Sequence, residues 1–180
     1  MSTKPLTLIC PLAQPTDKSE AELFGAMVWL WMHSSTHRNC PLHELHRVLL
    51  PALQTGQFAL ALDGGDEQRP VGVMTWAMFT ADMEQRYLQT LDRTLQPHDW
   101  QQGDRPWILD WVAPFGHTHE MKAAIRRALP KACWRSLHHR GDEIGLRVLH
   151  SHGVGLTRQQ AAEFWDFRPL PPARMRFSIE

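Results

Sequence analysis

The chain has 180 residues, of which 19 are lysine or arginine and 19 are aspartate or glutamate, so its formal net charge is zero. This length suits one domain with a sizeable core, and the balanced charge excludes a nucleic-acid or anionic-membrane partner held by overall charge. No apolar run approaches the roughly 18 residues that a membrane span needs, and the N-terminus lacks a signal-peptide stretch. We therefore expect a soluble cytoplasmic protein without a membrane span.

The chain begins with a segment that predicts an irregular arm, followed by a long helix. Residues 1–16 contain several prolines and show no periodicity. Asp17 or Ser19 can serve as the N-cap of a helix that should end near His33. The apolar residues of this segment are spaced as one helix face requires, at Leu23, Met27, Leu30 and Trp31.

A polar break separates this helix from a second helix, a hairpin and a third helix. Pro41 opens the second helix, and Pro51 should kink or stop it. Two strand-like runs then surround a turn rich in glycine and aspartate, which predicts a hairpin. Thr80 is placed to cap the third helix. The hairpin segment reads QFALALDGGDEQRPVGVMTWAMF, and the third helix reads ADMEQRYLQTL.

The second half of the chain predicts two further strands and two further helices. The short, mostly apolar run PWILDWVAP is typical of a central strand. An amphipathic helix, a strand and a last helix follow, in HTHEMKAAIRRALPK, EIGLRVLH and LTRQQAAEFWDF. The order ααββαβαβα predicts an α/β (α+β) fold over residues 17–168, a single domain with a mixed central sheet flanked by helices. Residues 169–180 predict an irregular tail.

The cysteines and tryptophans have structural interpretations. Cys10, Cys40 and Cys133 are odd in number, far apart and without a CxxC pair, so we expect reduced thiols and neither a disulfide framework nor a zinc knuckle. Eight tryptophans is a high count, and core packing is the favoured explanation for those in apolar segments. These are Trp29, Trp31, Trp76, Trp107 and Trp111.

Two polar residues are candidates for chemistry. Asp110 lies inside an apolar run, and a buried carboxylate needs a partner. His37 lies in the most polar segment near an apolar wall, and its side chain can accept and return a proton near neutral pH. An aspartate that orients a histidine is a common arrangement for a general base. Taken alone, Asp110 could equally be a turn or cap carboxylate, and His37 could cap a helix end.

A metal hydrolase is an alternative class of function. His33 and His37 have the i, i+4 spacing that two ligands on one helix face require. No glutamate follows His33, so the HExxH pattern fails, and we predict no metal site. Further histidine pairs that could contribute ligands are His117 with His119 and His150 with His152.

Several segments together resemble the bacterial RTX toxin-activating lysine acyltransferases, the activators of haemolysin-type protoxins. The similarity extends from about Leu23 to Phe167, and its most specific part is a DW-APFG block with an HRN triplet upstream. The segments that carry it are GAMVWLW, HRN at 37–39, LLPALQTGQFAL, VGVMTWA, GDRPWILDWVAPFG and the helix ending RRALP.

The resemblance implies a GNAT-like fold, a cytoplasmic homodimer, an acyl-carrier-protein thioester as donor, and an internal lysine of an RTX protoxin as acceptor. No other cofactor is implied. It assigns the general base to His37 and its partner to Asp110, which are expected to face each other across the site. The oxyanion would be held by the hydroxyl of Ser34 or by backbone N–H groups around Trp111 and Val112.

The donor assignment also has a physical argument. Acyl-CoA enzymes of the GNAT type cradle a pyrophosphate in an R/Q-x-x-G-x-G/A loop, and the corresponding APFGHTHE has one glycine. Arg126, Arg127 and Arg135 could instead meet an acidic carrier protein, although simple solvation is the safer default for exposed arginines. Asn39, in the HRN triplet, completes the predicted substrate-binding and donor-binding residues.

The sequence departs from the family in three places. Cys40 stands where tryptophan is frequent, the turn before His37 reads SST, and the tail after residue 168 has no recognisable counterpart. The acceptor could therefore be a lysine of a non-toxin protein or peptide, and a non-catalytic partner-binding homologue is a further alternative. An acyl-histidine or acyl-cysteine intermediate also stays open beside direct transfer.

Overall fold

The computed structural model describes residues 5–90, 95–140 and 143–172. It contains one six-stranded mixed sheet with the strands in sequence order. The strands are β1 (Thr7–Ile9), β2 (Phe58–Leu62), β3 (Pro70–Phe79), β4 (Arg105–Val112), β5 (Cys133–Arg140) and β6 (Glu143–His152). The helices are α1 (Glu20–Met32), α2 (Leu45–Val48), α3 (Leu50–Thr55), α4 (Ala81–Gln89), α5 (Thr118–Ala128) and α6 (Arg158–Asp166). None of the helices within these ranges has the length and apolarity to cross a membrane.

The predicted α/β class with a mixed sheet flanked by helices is confirmed. Neighbouring strands are antiparallel except β4 and β5, which run parallel. Parallel neighbours need a crossover, and α5 supplies it between these two strands. The predicted hairpin is β2 with β3, and the predicted central strand is β4.

Helix α1 forms where the sequence predicts it. Its N-cap is Ser19, which accepts the N–H of Glu22 at 3.3 Å while the Glu22 carboxylate accepts the N–H of Ser19 at 2.9 Å. Such a reciprocal capping box satisfies two N–H groups that the helix itself leaves free. The helix ends at Met32, with His33 as C-cap. Its buried face consists of the four predicted residues Leu23, Met27, Leu30 and Trp31.

The second predicted helix is broken into shorter pieces. A 3-10 turn over Leu42–Glu44 precedes α2, and Leu49 separates α2 from α3. Pro51 lies in the first turn of α3, where its missing N–H costs no helical hydrogen bond. It therefore starts a helix rather than kinking or stopping one.

Two strands lie in segments where the sequence predicted none. The arm over residues 1–16 was predicted to be irregular, but Thr7–Ile9 form β1 and pair with β2. Strand β5 (Cys133–Arg140) has a polar sequence, CWRSLHHR, which conceals the usual alternation. Arg135 in this strand is only 1% exposed and forms an ion pair with the buried Glu84 of α4. Its burial depends on a partner 51 residues away.

The helices pack on both faces of the sheet. On one face, α1 and α3 cover Val73 and Val112, and α4 covers Ala77 and Trp107. On the other face, α5 packs against alternate residues of the same strands, namely Met74, Trp76 and Ile108, with Trp134 of β5. The face that carries α1 is hereafter the α1 face, and the opposite one is the α5 face.

The C-terminal segment is held by arginines. Arg135 donates to the carbonyl of Arg168 at 2.6 Å, and Arg105 donates to the carbonyl of Pro169 at 3.0 Å. Residues 169–172 contain neither helix nor strand. The rest of the predicted irregular tail, 173–180, lies outside the described residues.

Candidate active site

A β-bulge decides which face of the sheet Asp110 occupies. Thr75 of β3 pairs with Asp110, but the next residue, Trp76, pairs with Ile108. Leu109 is therefore an extra residue of β4 without a paired residue in β3. A bulge of this kind places two successive side chains on the same face. Leu109 and Asp110 accordingly both lie on the α1 face, whereas regular alternation after Leu109 would have turned Asp110 to the α5 face.

A turn after α1 brings His37 to the same place. The N–H of Ser34 donates to the carbonyl of Trp31 at 3.0 Å, and the N–H of His37 donates to the carbonyl of Ser34 at 3.2 Å. The imidazole packs on the Trp31 ring with 4.6 Å between ring centroids. Trp31 is itself buried in the core, so the turn positions the imidazole against a fixed wall.

His37 and Asp110 are in direct contact. Nε2 of His37 lies 3.2 Å from Oδ1 of Asp110, and their side chains are 21% and 23% exposed. The second carboxylate oxygen, Oδ2, accepts the hydroxyl of the buried Thr75 at 3.2 Å. Asp110 thus has a partner for each oxygen, and a substrate can still reach the pair from solvent.

Ser34, a predicted substrate-binding residue, contacts the other side of the imidazole. Its hydroxyl lies 2.8 Å from Nδ1 of His37, and the hydroxyl of Thr36 lies at the same distance. Because the Asp110 carboxylate can only accept, Nε2 carries the ring hydrogen and Nδ1 carries the free electron pair. Nδ1 is therefore the basic nitrogen of His37 in this arrangement.

The sheet opens beside Asp110. The pairing described for β4 and β5 joins Trp107 with Arg135 and Ile108 with Ser136. Beyond that point, β4 continues to Val112 with its β5 side unpaired in the described ladder. Successive N–H groups of a strand point to opposite sides. One of the N–H groups of Trp111 and Val112 therefore faces this opening, as an oxyanion donor would have to.

The side chains of Trp111 and Val112 have other positions. The Trp111 indole lies with the cluster on the α5 face, and Val112 is buried under α1. These two residues can therefore serve a reaction at His37 through their backbone only. Asn39 is exposed in the turn after His37.

The three predicted carrier-protein arginines have different surroundings. Arg127 is exposed and lines a surface cavity of about 570 Å³ between α5, the β2–β3 turn and the N-terminal arm. Arg126 is half-buried and donates to the carbonyl of His152 at 2.7 Å, which holds the end of β6. Arg135 is buried, so the suggestion that it meets a carrier protein is wrong. Only Arg127 of the three is free to meet another protein's surface.

The cysteines are poor nucleophiles in this structure. Burial raises the pKa of the Cys40 thiol, and the charges of Glu44 and Asp110 raise it further. Burial also raises the pKa of Cys10 and of Cys133. A raised pKa keeps a thiol protonated at neutral pH, and the protonated thiol is the unreactive form.

The histidine pair of the metal-hydrolase alternative does not converge. The two residues lie beyond the last residue of α1, so they do not share a helix face. His33 contacts the carbonyl of Trp29 through Nδ1 at 2.8 Å, and its ring lies against Trp29 and Phe115, while His37 faces Asp110. Trp29, predicted to be core, is 38% exposed in this aromatic group.

Two residues at the site were missed by the sequence reasoning. Thr75 could not be found because its role depends on the register of β3 against β4 and on the bulge. Thr36 lies in the same polar segment as His37, but nothing in the sequence indicates which of the hydroxyls of Ser34, Ser35 and Thr36 contact the imidazole. Its position against Nδ1 follows from the fold of the turn.

The chain is similar to known acyltransferases over the region that builds this site. Residues 16–152 match the model of the RTX toxin acyltransferase family. The leukotoxin-activating lysine-acyltransferase LtxC of Aggregatibacter actinomycetemcomitans is 35% identical over 81% of this chain and 84% of its own length. The protein-lysine palmitoyltransferase CyaC of Bordetella bronchiseptica is 39% identical over 83% of this chain and 79% of its own. The chain therefore belongs to the RTX toxin acyltransferase family and is an acyltransferase.

Proposed function

We propose that this enzyme moves a fatty acyl chain from an acyl-carrier-protein thioester to the ε-amine of an internal lysine in an RTX protoxin. The relatives support the acceptor, since one is named a leukotoxin-activating lysine-acyltransferase and another a protein-lysine palmitoyltransferase. The observation that carries the proposal is the contact between His37 and Asp110 within the matched region. The pair supplies the group that a lysine acceptor needs most, a base.

His37 acts as that base. A lysine amine is protonated at neutral pH, because its ordinary pKa lies far above neutrality, and only the neutral amine attacks a thioester. The lysine ammonium first loses one proton to solvent. As the C–N bond forms, His37 receives the second, surplus proton of the amine, and Asp110 stabilises the imidazolium through Nε2. The C–S bond then breaks, and the proton passes to the leaving thiolate. This direct transfer leaves the enzyme unmodified.

The negative charge that develops on the thioester oxygen needs hydrogen-bond donors. The N–H of Trp111 or Val112 that faces the opening in the sheet is one candidate, and the hydroxyl of Ser34 is the other. Trp111 and Val112 directly follow Asp110 in β4, and the Ser34 hydroxyl lies within hydrogen-bond distance of His37 Nδ1. Asn39, in the same turn as His37, is assigned to substrate binding.

The donor is a carrier-protein thioester, which acts as co-substrate with no separate cofactor. The turn that follows β4 supports this assignment, because it has one glycine, Gly116, where acyl-CoA enzymes have a glycine-rich pyrophosphate loop. Of the three predicted arginines, Arg127 is the exposed one and is available to an acidic carrier surface. Arg126 is assigned an indirect part, because it donates to the carbonyl of His152 and so holds the end of β6.

A GNAT-like fold, a homodimer and a cytoplasmic location belong to the same proposal. The GNAT-like assignment is supported by the parallel pair β4 and β5, which separates beyond Ile108 beside the site. The homodimer and the location rest on the family alone. The tail after residue 168 has no recognised counterpart, so a lysine of a non-toxin protein is the alternative acceptor. A non-catalytic homologue is disfavoured by the intact pair.

Coexpression with a candidate RTX protoxin tests the acceptor. The expected result is an increase in the protoxin's intact mass by one or more fatty acyl groups, with each modified lysine located by peptide fragmentation. Coexpression with the His37→Ala variant is the control and should leave the protoxin mass unchanged. If the protoxin stays unmodified while a non-toxin protein is acylated, the assignment of the protoxin as acceptor is wrong, but the assignment of lysine acylation stands.

A further inference from the structure

The basic nitrogen of His37 is covered by two hydroxyls. Ser34 Oγ and Thr36 Oγ1 each lie 2.8 Å from Nδ1, and they lie 3.1 Å from each other. Nδ1 has one electron pair, and each hydroxyl has one hydrogen. A substrate amine therefore reaches Nδ1 only by displacing a hydroxyl or by passing its proton through one.

The two hydroxyls differ in exposure. Thr36 is exposed, whereas Ser34 is half-buried, and the His37 ring is 21% exposed. Thr36 is also next to His37 in the chain, so the same turn positions the ring and this hydroxyl. The hydroxyl that an incoming protein substrate meets first is that of Thr36.

We propose that Thr36 is a catalytic residue that carries the proton between the substrate amine and His37, an inference that rests on the proposed function. The neutral amine forms the C–N bond, and its surplus proton passes to Thr36 Oγ1 while the hydroxyl's own proton moves to Nδ1. The C–S bond breaks, and the proton on Nδ1 returns through the same hydroxyl to the thiolate. Thr36 and His37 end the cycle unchanged.

The relay through Thr36 leaves the Ser34 hydroxyl available for a different role. While Thr36 donates to Nδ1, the hydrogen of Ser34 is free to point to the thioester oxygen. Asp110 accepts the hydrogen bond from Nε2–H throughout and balances the charge of the imidazolium. The base, the relay and the oxyanion donor then lie within a single turn, and the carboxylate that orients the base lies on β4.

Two substitutions at position 36 test the relay. Thr36→Val keeps the shape and removes the hydroxyl, and it should lower kcat for transfer from acyl-carrier protein by about a hundredfold, with KM for the donor within about twofold. Thr36→Ser restores the hydroxyl and should recover most of kcat. The matched control is Ser35→Ala, since Ser35 is exposed in the same turn and its hydroxyl is not one of the two that contact Nδ1; it should leave kcat unchanged.

A second measurement does not depend on turnover. The ¹⁵N resonance of His37 Nδ1 reports the hydroxyls that donate to it, so Thr36→Val should shift that resonance and Ser35→Ala should not. An unmoved resonance, or a wild-type kcat in Thr36→Val, would overturn the relay alone when the wild-type enzyme is active. A wild-type protein that transfers no acyl group to lysine would overturn the proposed function, and the relay with it.

Discussion

At the scale of single residues, the site depends on the position of one carboxylate. Asp110 contacts His37 through Oδ1 and Thr75 through Oδ2, so the threonine fixes the angle at which the carboxylate meets the imidazole. Thr75 is buried, which leaves water little access to replace its hydroxyl. Its contribution is therefore one of positioning.

Removing the Thr75 hydroxyl should reduce catalysis without unfolding the protein. In Thr75→Val the side chain keeps its shape, but Asp110 loses a hydrogen bond, and bonds to charged groups are worth about 1.5–3 kcal/mol. We expect kcat/KM to fall by about tenfold or more, measured with acyl-carrier protein as donor. Thr75→Ser should restore activity. A Thr75→Val enzyme as active as the wild type would show that Thr75 does not position Asp110.

The thiols should be dispensable. A direct transfer uses no cysteine, and burial raises the pKa of all three thiols. A variant with Cys10, Cys40 and Cys133 replaced by alanine or serine should therefore retain acyl transfer, measured at neutral pH. If the triple variant loses activity, the single variant Cys40→Ser shows whether the loss comes from Cys40 or from altered packing at the buried Cys10 and Cys133. An acylated Cys40 that forms and decays as fast as turnover would contradict direct transfer.

The sequence predicted part of this site and missed the rest for a physical reason. A carboxylate inside an apolar run must have a partner, and this requirement alone singled out Asp110. The family resemblance then linked it to His37. Thr75 contacts Asp110 only because a bulge shifts the register of β3 against β4, and register between strands far apart in sequence leaves no local signal.

At the scale of helices and strands, N-cap residues and apolar periodicity were the signals that predicted elements correctly. Ser19 and Thr80 start α1 and α4 as predicted, and each accepts a backbone N–H of its helix. Strand β5 was missed because Arg135 reads as a surface residue. Its burial requires Glu84, which also accepts from Arg105 and from the Trp107 indole.

Breaking this cluster should destabilise the protein strongly. Arg135→Met leaves the Glu84 carboxylate buried with fewer donors, and removing one partner of a buried ion pair costs about 3–5 kcal/mol. We expect the free energy of unfolding, measured by urea titration, to fall by that amount. Arg127→Met changes an exposed arginine and should alter it by less than about 0.5 kcal/mol. Equal stabilities of the two variants would contradict the structural role of the cluster.

At the scale of the whole molecule, the proposed donor makes the enzyme dependent on contact with a second protein. Arg127→Glu should weaken transfer from acyl-carrier protein, because a negative charge now faces an acidic surface, and should leave transfer from a small thioester unchanged. Added salt should slow the wild type toward the variant, since charges are screened over about 8 Å at physiological ionic strength. The comparison measures kcat/KM for both donors.

The control for that experiment is Arg158→Glu, which makes the same charge change at an exposed position on α6. It should leave both donors unaffected. Equal losses with both donors in Arg127→Glu would assign Arg127 a structural role instead. Efficient use of acyl-CoA in place of the carrier protein would contradict the donor assignment itself.

A single-turnover reaction with purified acyl-carrier-protein thioester and protoxin, followed by the intact mass of the protoxin, tests the roles of His37 and Asp110 most directly. With His37 as base and Asp110 as its partner, we expect transfer by the wild type, none above background with His37→Ala, and a loss of most activity with Asp110→Asn, which keeps the shape but loses the charge. Circular dichroism must show that both variants are folded. Transfer at the wild-type rate by folded His37→Ala would contradict the assignment of His37 as the base.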